Sequence, residues 1–163
     1  MAHVQKRLAL FVAVAGSGLL TLFIAFSNIT DYATNFEFVK HVLSMDTIFE
    51  NSTVRYRSIT SNRLHHAAYV FIIALETIMA YLFISSSMHM YLRLRSEKEQ
   101  FNAAKKNAYL GIALALLLWF VGFTVVGGEW FSMWQSADWN GLGPADRITT
   151  FFMLTYLALV VVE

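Results

Sequence analysis

The chain has 163 residues, of which 57% are hydrophobic and 14% charged, with a net charge of +1, one proline and no cysteine. Soluble domains carry charge on about a quarter of their residues, so this composition excludes an ordinary water-soluble globule and points to a membrane protein. The missing thiols exclude disulfides, thiolate metal centres and cysteine nucleophiles together.

Four apolar stretches, about 8–27, 64–92, 108–127 and 148–162, are each long enough, or nearly so, for a hydrocarbon core that takes roughly 20 helical residues. They predict an all-α fold, a four-helix transmembrane bundle forming a single integral membrane domain over 1–163. No linker-like stretch or internal repeat divides it. The first stretch follows "MAHVQKR" and ends in Ala25-Phe26-Ser27, a pattern that invites a signal-peptide reading. Its apolar run exceeds the usual h-region of roughly 7–15 residues, so an uncleaved first helix is expected. Within it Ala13, Gly16, Ser17 and Gly18 are small, as are Gly111, Ala115 and Gly122 on the third stretch. Small residues let helix backbones approach where lipid supplies no hydrophobic drive to associate.

The segment 28–63 is too long for a mere connection. Its "TNFEFVKHVLSMDTIF" opens on Thr34-x-x-Glu37, a capping-box pattern, and Phe38, Val42, Met45 and Phe49 recur near helical spacing. A short amphipathic helix is expected there, lying on the outer surface or capping the bundle. "STVRYRSIT" reads as extended loop. Asn28-Ile-Thr30 and Asn51-Ser-Thr53 fit the glycosylation acceptor triplet, which matters only in a secretory pathway.

The second span carries Glu76 inside "HHAAYVFIIALETIMAYLF". Twelve residues from Leu64 at about 1.5 Å each place it roughly 18 Å deep, near the midplane. His65 lies three turns earlier on the same face, and Ser17 of the first span and Trp119 of the third are expected opposite. No Lys, Arg or His lies at that depth, so a neutral, hydrogen-bonded Glu76 is the default, with Ser17 or Trp119 as its partner.

After the third span, "GGEWFSMWQSADWNGLGPADR" crowds Trp130, Trp134 and Trp139 into ten residues beside Glu129. An interfacial aromatic belt is the simpler reading, and a docking surface for another subunit is the sharper one. Lys6, Arg7, Arg93, Arg95, Lys98, Lys105 and Lys106, seven of the twelve basic residues, flank the other side of the spans. By the positive-inside rule both termini and the 93–106 loop are cytoplasmic.

The strings "NITDYATNFEFVKHVLSMDT", "ITSNRLHHAAY", "LLWFVGFTVVGGEWFSMWQS" and "RITTFFML" together resemble a bacterial family known only as predicted small integral membrane proteins, a domain of unknown function. The resemblance covers nearly the whole chain. It implies a four-helix, multi-pass protein of the bacterial inner membrane and no particular activity. It marks His65, His66, Glu129, Trp130 and Glu76 as positions of interest.

Chemistry-bearing sets are sparse. His41, Asp46, His65, His66 and Glu129 fall near the outer surface, but adjacent histidines diverge by about 100° on a helix and the i, i+4 spacing is missing. No metal site is expected, with His41, His65 and His66 only weak candidates. His89 lacks a facing histidine for haem. No cofactor, catalytic set or nucleic-acid partner is expected; the partners are the lipid bilayer and other membrane-protein subunits. The preferred reading is a non-catalytic accessory or assembly subunit of a larger inner-membrane complex. The alternative is a small transporter, channel or ligand- or cation-binding protein working through Glu76 and His65.

Overall fold

The computed structural model describes residues 2–163. The chain runs as α1 (Ala2–Thr30), α2 (Tyr32–Ser44), a single turn at Arg55–Arg57, α3 (Asn62–Leu92), α4 (Lys98–Ala104) and α5 (Lys106–Ala115). From α5 it continues without a break into a π-helical segment, Leu116–Trp130, then turns at Met133–Gln135 into α6 (Leu142–Val161). Among the described residues, four helical stretches are long and apolar enough to cross a membrane: His3–Thr30, Asn62–Leu92, Lys98–Trp130 and Leu142–Val161. The fold is therefore all-α, and the termini and the α3–α4 joint sit at one end of the bundle. The two long connections form the other, the loop end.

The helices outrun the apolar stretches that announced them. Hydropathy reports where a helix must be dry, whereas backbone hydrogen bonding carries it further into polar sequence. Thus α6 begins at Leu142 rather than near 148, taking Pro144 into its first turn, where a missing N–H costs no intrahelical bond.

A helix does stand in the first connection, but its start and packed face differ from the sequence expectation. It begins at Tyr32, and the Asp31 N-cap makes no side-chain cap bond. Thr34 lies inside the helix and Glu37 pairs with Lys40 at 2.8 Å instead of capping. The cause is that α1 runs on to Thr30, leaving Asp31 as a one-residue joint whose carbonyl accepts from the Asn35 N–H. The buried residues are Phe36 and Val39, packed with Tyr69 of α3. Met45 forms the left-handed C-cap (φ 51°), and Phe49 is exposed beyond it. The loop read as extended holds the turn at Arg55–Arg57.

Small residues set how closely the helices meet. At Gly18 an added Cβ would lie 2.8 Å from Ile84 Cγ1 and 3.1 Å from the Ile84 backbone nitrogen. The α1 and α3 backbones therefore touch there. Together with the Phe11–Tyr91 ring pair at 5.4 Å, this contact defines an antiparallel register in which paired residue numbers sum to about 102. At Gly111 the ring of Phe83 comes within 2.9 Å of an added Cβ. Phe83 stacks on Phe152 of α6 at 5.4 Å, and Phe152 on Trp119 at 5.4 Å, a ladder that ties α3, α6 and the π segment.

The π segment is wound by backbone i−5 bonds and ends on one from the Phe131 N–H to the Val126 carbonyl (3.0 Å), while the Thr124 hydroxyl also donates to the Trp119 carbonyl (3.2 Å). Fifteen residues is far beyond the single turn usual for this geometry, and nothing in "LLLWFVGFTVVGGEW" marks it.

The terminal end is closed by cations on carbonyls. Arg7, 1% exposed, donates to the Leu94, Ser96 and Glu163 carbonyls and lies 4.3 Å from the Phe101 ring centre. Lys105 donates to the Leu159 and Val162 carbonyls, where the dipole of α6 is negative. A hydrogen bond from Lys98 Nζ, 2.6 Å away, holds the Glu163 carboxyl below the usual carboxylate range.

The glycine contacts make a paired prediction. Gly18→Val forces α1 from α3 and costs about 1–3 kcal/mol. Gly16→Ala, with nothing within 4 Å of the new methyl, is neutral or stabilising by up to about 1 kcal/mol. Reversible unfolding in mixed micelles measures both; equal losses would contradict the close approach.

Candidate functional site

The register brings Asn28, near the end of α1, onto Glu76 of α3. Asn28 Nδ2 donates to Glu76 Oε2 at 2.8 Å, and Tyr69, one turn beyond Ile72 on α3, donates from its hydroxyl to the Asn28 carbonyl at 3.0 Å. Glu76 is 2% exposed, and among the described residues no basic side chain pairs with it. Among the described residues, Asn28 is also the sole hydrogen-bond partner of its carboxyl, so Oε1 is left to the space in front of it.

That space is a chamber of about 330 Å³. Glu76, Asn28 and Asn35 give it polar groups, while Tyr69, Trp119, Phe38 and Phe123 give it aromatic walls. Pro144, Ala145 and Ile148 of α6 close one side, and α2 lies across the loop end through Phe38 and Val39. The lid is held down at Gly141, where Phe38 Cζ sits 2.7 Å from the point a Cβ would occupy. Any side chain there would lift Phe38 and open the chamber roof.

The depth of Glu76 differs from the sequence estimate. If α1 crosses with its apolar run 8–27 centred on the midplane, the register sets Gly18 and Ile84 near that plane. Glu76 is eight residues from Ile84, about 12 Å toward the loop end. On that placement it lies in one leaflet, about 3 Å inside the boundary of a core roughly 30 Å thick, rather than at the centre. Counting from Leu64 gives the deeper position because α3, 31 residues and about 46 Å long, rises well past the end of α1.

The sequence-predicted partners fall in different places. Trp119 does line the chamber. Ser17 is buried, but its hydroxyl donates to the Ala13 carbonyl (2.9 Å) of its own helix, so the hydrogen bond expected from Ser17 or Trp119 comes from Asn28 instead. His65 is buried on the Glu76 face but about 16 Å away along α3. Its Nε2 donates to the Ile59 carbonyl at 2.6 Å, and its Nδ1 is buried without a partner. The structure does not bring His65 and Glu76 together. His66 is hydrogen-bonded to the Tyr32 hydroxyl (2.8 Å) and stacks on Phe36 (4.0 Å). His41 donates from Nδ1 to Asp46 (2.8 Å). The three histidines thus serve three separate contacts. Among the described residues no three His, Cys, Asp or Glu side chains gather as a metal-ligand set.

The tryptophan segment folds onto the first connection. Trp139 stacks on His41 at 4.4 Å, Trp130 lies under Arg57 at 4.7 Å, and Trp134 meets Phe49 edge-on at 5.9 Å. Thr47 and Ser136 share a hydrogen bond of 2.8 Å between the two connections. Trp130 and Trp134 remain about half exposed, and Glu129 is exposed beside them.

Sequence reasoning missed Asn28, Asn35 and Pro144 as chamber residues. Asn28 was visible as the polar end of an apolar run, yet its triplet suggested glycosylation. An amide committed to a buried carboxyl inside a helix is no such acceptor.

Four helices long and apolar enough to cross a membrane define a polytopic integral membrane protein. The chain belongs to the family of predicted small integral membrane proteins (DUF2165), whose profile matches residues 6–163. No curated protein and no solved structure matches it.

A double-mutant cycle tests the central contact. Asn28→Ala strips the buried carboxyl of its donor and lowers stability by about 1–3 kcal/mol. Combined with Glu76→Leu, the loss is smaller than the sum, with a coupling of about 0.6–1.7 kcal/mol in unfolding from mixed micelles. Strict additivity would mean the pair does not interact.

Proposed function

We propose that this protein binds a small organic cation in the Glu76 chamber, without catalysing a reaction on it. The observation that carries the reading is a buried carboxyl with one oxygen held by Asn28 and the other facing a chamber with aromatic walls. An ionised carboxylate taken out of water without a cation costs several kcal/mol, so the ionised state needs a partner from outside the chain. Aromatic faces add about 0.5–2 kcal/mol for an ammonium group. A calcium ion wants six to eight oxygens, roughly. One carboxyl and two amides fall short of that, which favours an organic ammonium over a metal.

Tetramethylammonium is the simplest probe. It raises the thermal stability of the purified protein in a saturable way, and Glu76→Gln, which keeps shape and hydrogen bonding, abolishes the rise. A Gln variant that responds like the parent would overturn the reading. The charge distribution supports placement in the bacterial cytoplasmic membrane with both termini in the cytoplasm, so that the chamber lies in the outer half of the bundle. Cysteines replacing the exposed residues Asn51 and Ala137 then react with an impermeant thiol reagent in intact cells, while one at Glu99 does not. The reverse labelling would invert the topology.

A second reading rests on the half-exposed Trp130 and Trp134, which with the exposed Phe49 and Tyr56 form an aromatic cluster at the loop end. It supports an accessory subunit that docks another membrane protein there, since binding energy concentrates in such aromatics. Trp134→Ala then loses a co-purifying partner while the chain still inserts; unchanged co-purification leaves only an interfacial belt.

A further inference from the structure

We propose that the chamber's ligand is an amphiphile, an alkyl chain bearing an ammonium head, with its chain lying in the apolar groove beside the chamber. This rests on reading the chamber as a cation site and adds what the rest of the ligand is and how it enters.

A second cavity, of about 380 Å³, lies between α3 and the π segment. Its lining is apolar throughout, with Ala68, Phe71 and Leu75 on one side and Leu117 and Val121 on the other. It exists because α3 packs along α5 and then parts from the π segment, which leans on α6 instead. Phe71, Leu117 and Val121 are exposed, so the groove faces the lipid.

Groove and chamber share walls: Phe38, Val39, Ile72 and Phe123 line both. On α3, Leu75 lines the groove and Glu76 the chamber, neighbours about 100° apart on the helix. Ile72, one turn before both, stands between the two spaces. The remaining partition is a pair of rings, Phe38 and Phe123, stacked at 6.0 Å. Rotation of these two rings, with Val39 and Ile72, would join the spaces.

The combined space is polar and acidic at one end and apolar at the other, and it opens sideways into a single leaflet at the depth of Glu76. An ammonium-headed amphiphile already in that leaflet complements both ends: charge against Glu76, hydrocarbon against hydrocarbon. The chain gains little free energy in the groove, because lipid tails are as apolar as its lining. Affinity therefore comes from the head, and the groove admits and orients. For that reason the decisive measurement is where the chain lies, not how tightly the molecule binds.

The test uses the full chain in phosphatidylglycerol nanodiscs with dodecyltrimethylammonium carrying a photoreactive diazirine at the chain terminus. Irradiation and peptide mapping are expected to place adducts on Phe71, Leu117 and Val121. Excess tetramethylammonium displaces them, and Glu76→Gln reduces them about 10-fold, the loss expected when about 1.4 kcal/mol of head-group binding disappears. Ala68→Phe fills the groove from α3 and removes these adducts while leaving the thermal response to tetramethylammonium intact. Leu117→Trp does the same from the opposite wall should the first variant fail to insert. Adducts spread evenly over the other lipid-facing positions, such as Phe23, Tyr81 and Leu154, with tetramethylammonium still bound, would overturn the amphiphile and leave the cation site standing. No response to tetramethylammonium would remove both.

Discussion

The contact between Gly18 and Ile84 governs the rest of the molecule. Because Gly18 has no side chain, α1 lies against the backbone of α3, and two antiparallel helices touching that closely can slide little without a clash. The register so defined carries Asn28 to Glu76 at one end and Arg7 to the Leu94 and Ser96 carbonyls at the other. Both are polar contacts in a medium that offers no water to replace them. A shift of one residue along α1 would leave a buried carboxyl without its donor and a buried guanidinium without its acceptors.

The two ends of the bundle answer to different demands. At the terminal end Arg7 and Lys105 satisfy helix carbonyls and sit over Phe101, drawing α1, α5 and α6 together. At the loop end the helices diverge. There α3 and the π segment part, and the Glu76 chamber and the apolar groove lie side by side, sharing Phe38, Val39, Ile72 and Phe123 as walls. The two connections close over it as one cap, joined by Thr47 with Ser136 and His41 with Trp139. A bundle tight at one end and open at the other can keep a cavity without losing its helix packing.

Within that cap the contacts are largely those of packed rings. Phe38 is only partly buried, rests on Gly141 and stacks on Phe123, and is fixed by packing rather than by hydrogen bonds. The helices behind are joined by the Phe83–Phe152–Trp119 ladder. Asn28 and Glu76 stand on the tightly packed α1 and α3, and the rings that part chamber from groove come from α2 and the π segment. This is the arrangement a site needs if its ligand enters from the side.

Hydropathy by itself determined the four helices, because a backbone that crosses hydrocarbon must satisfy its own hydrogen bonds and only helices of apolar residues do so at this length. It also singled out Glu76, since a carboxyl amid such residues is conspicuous whatever the fold; of the two glycines it marked on α1, Gly18 meets α3 while Gly16 faces open space. Composition cannot say which residue on one helix faces which on another; that depends on register, decided by the close approach at Gly18 and by how far α3 rises beyond α1. Hence Asn28, thirty-four residues before Asn62 in the chain and at the edge of its own apolar run, became the partner of Glu76, while Ser17 turned back to its own helix. The cap of α2 was misread for a related reason: a local Thr-x-x-Glu pattern yielded to the continuation of α1 through Thr30. The chamber and the groove were illegible because they arise from the splay between α3 and the π segment, and the π winding leaves no mark in the residues that adopt it.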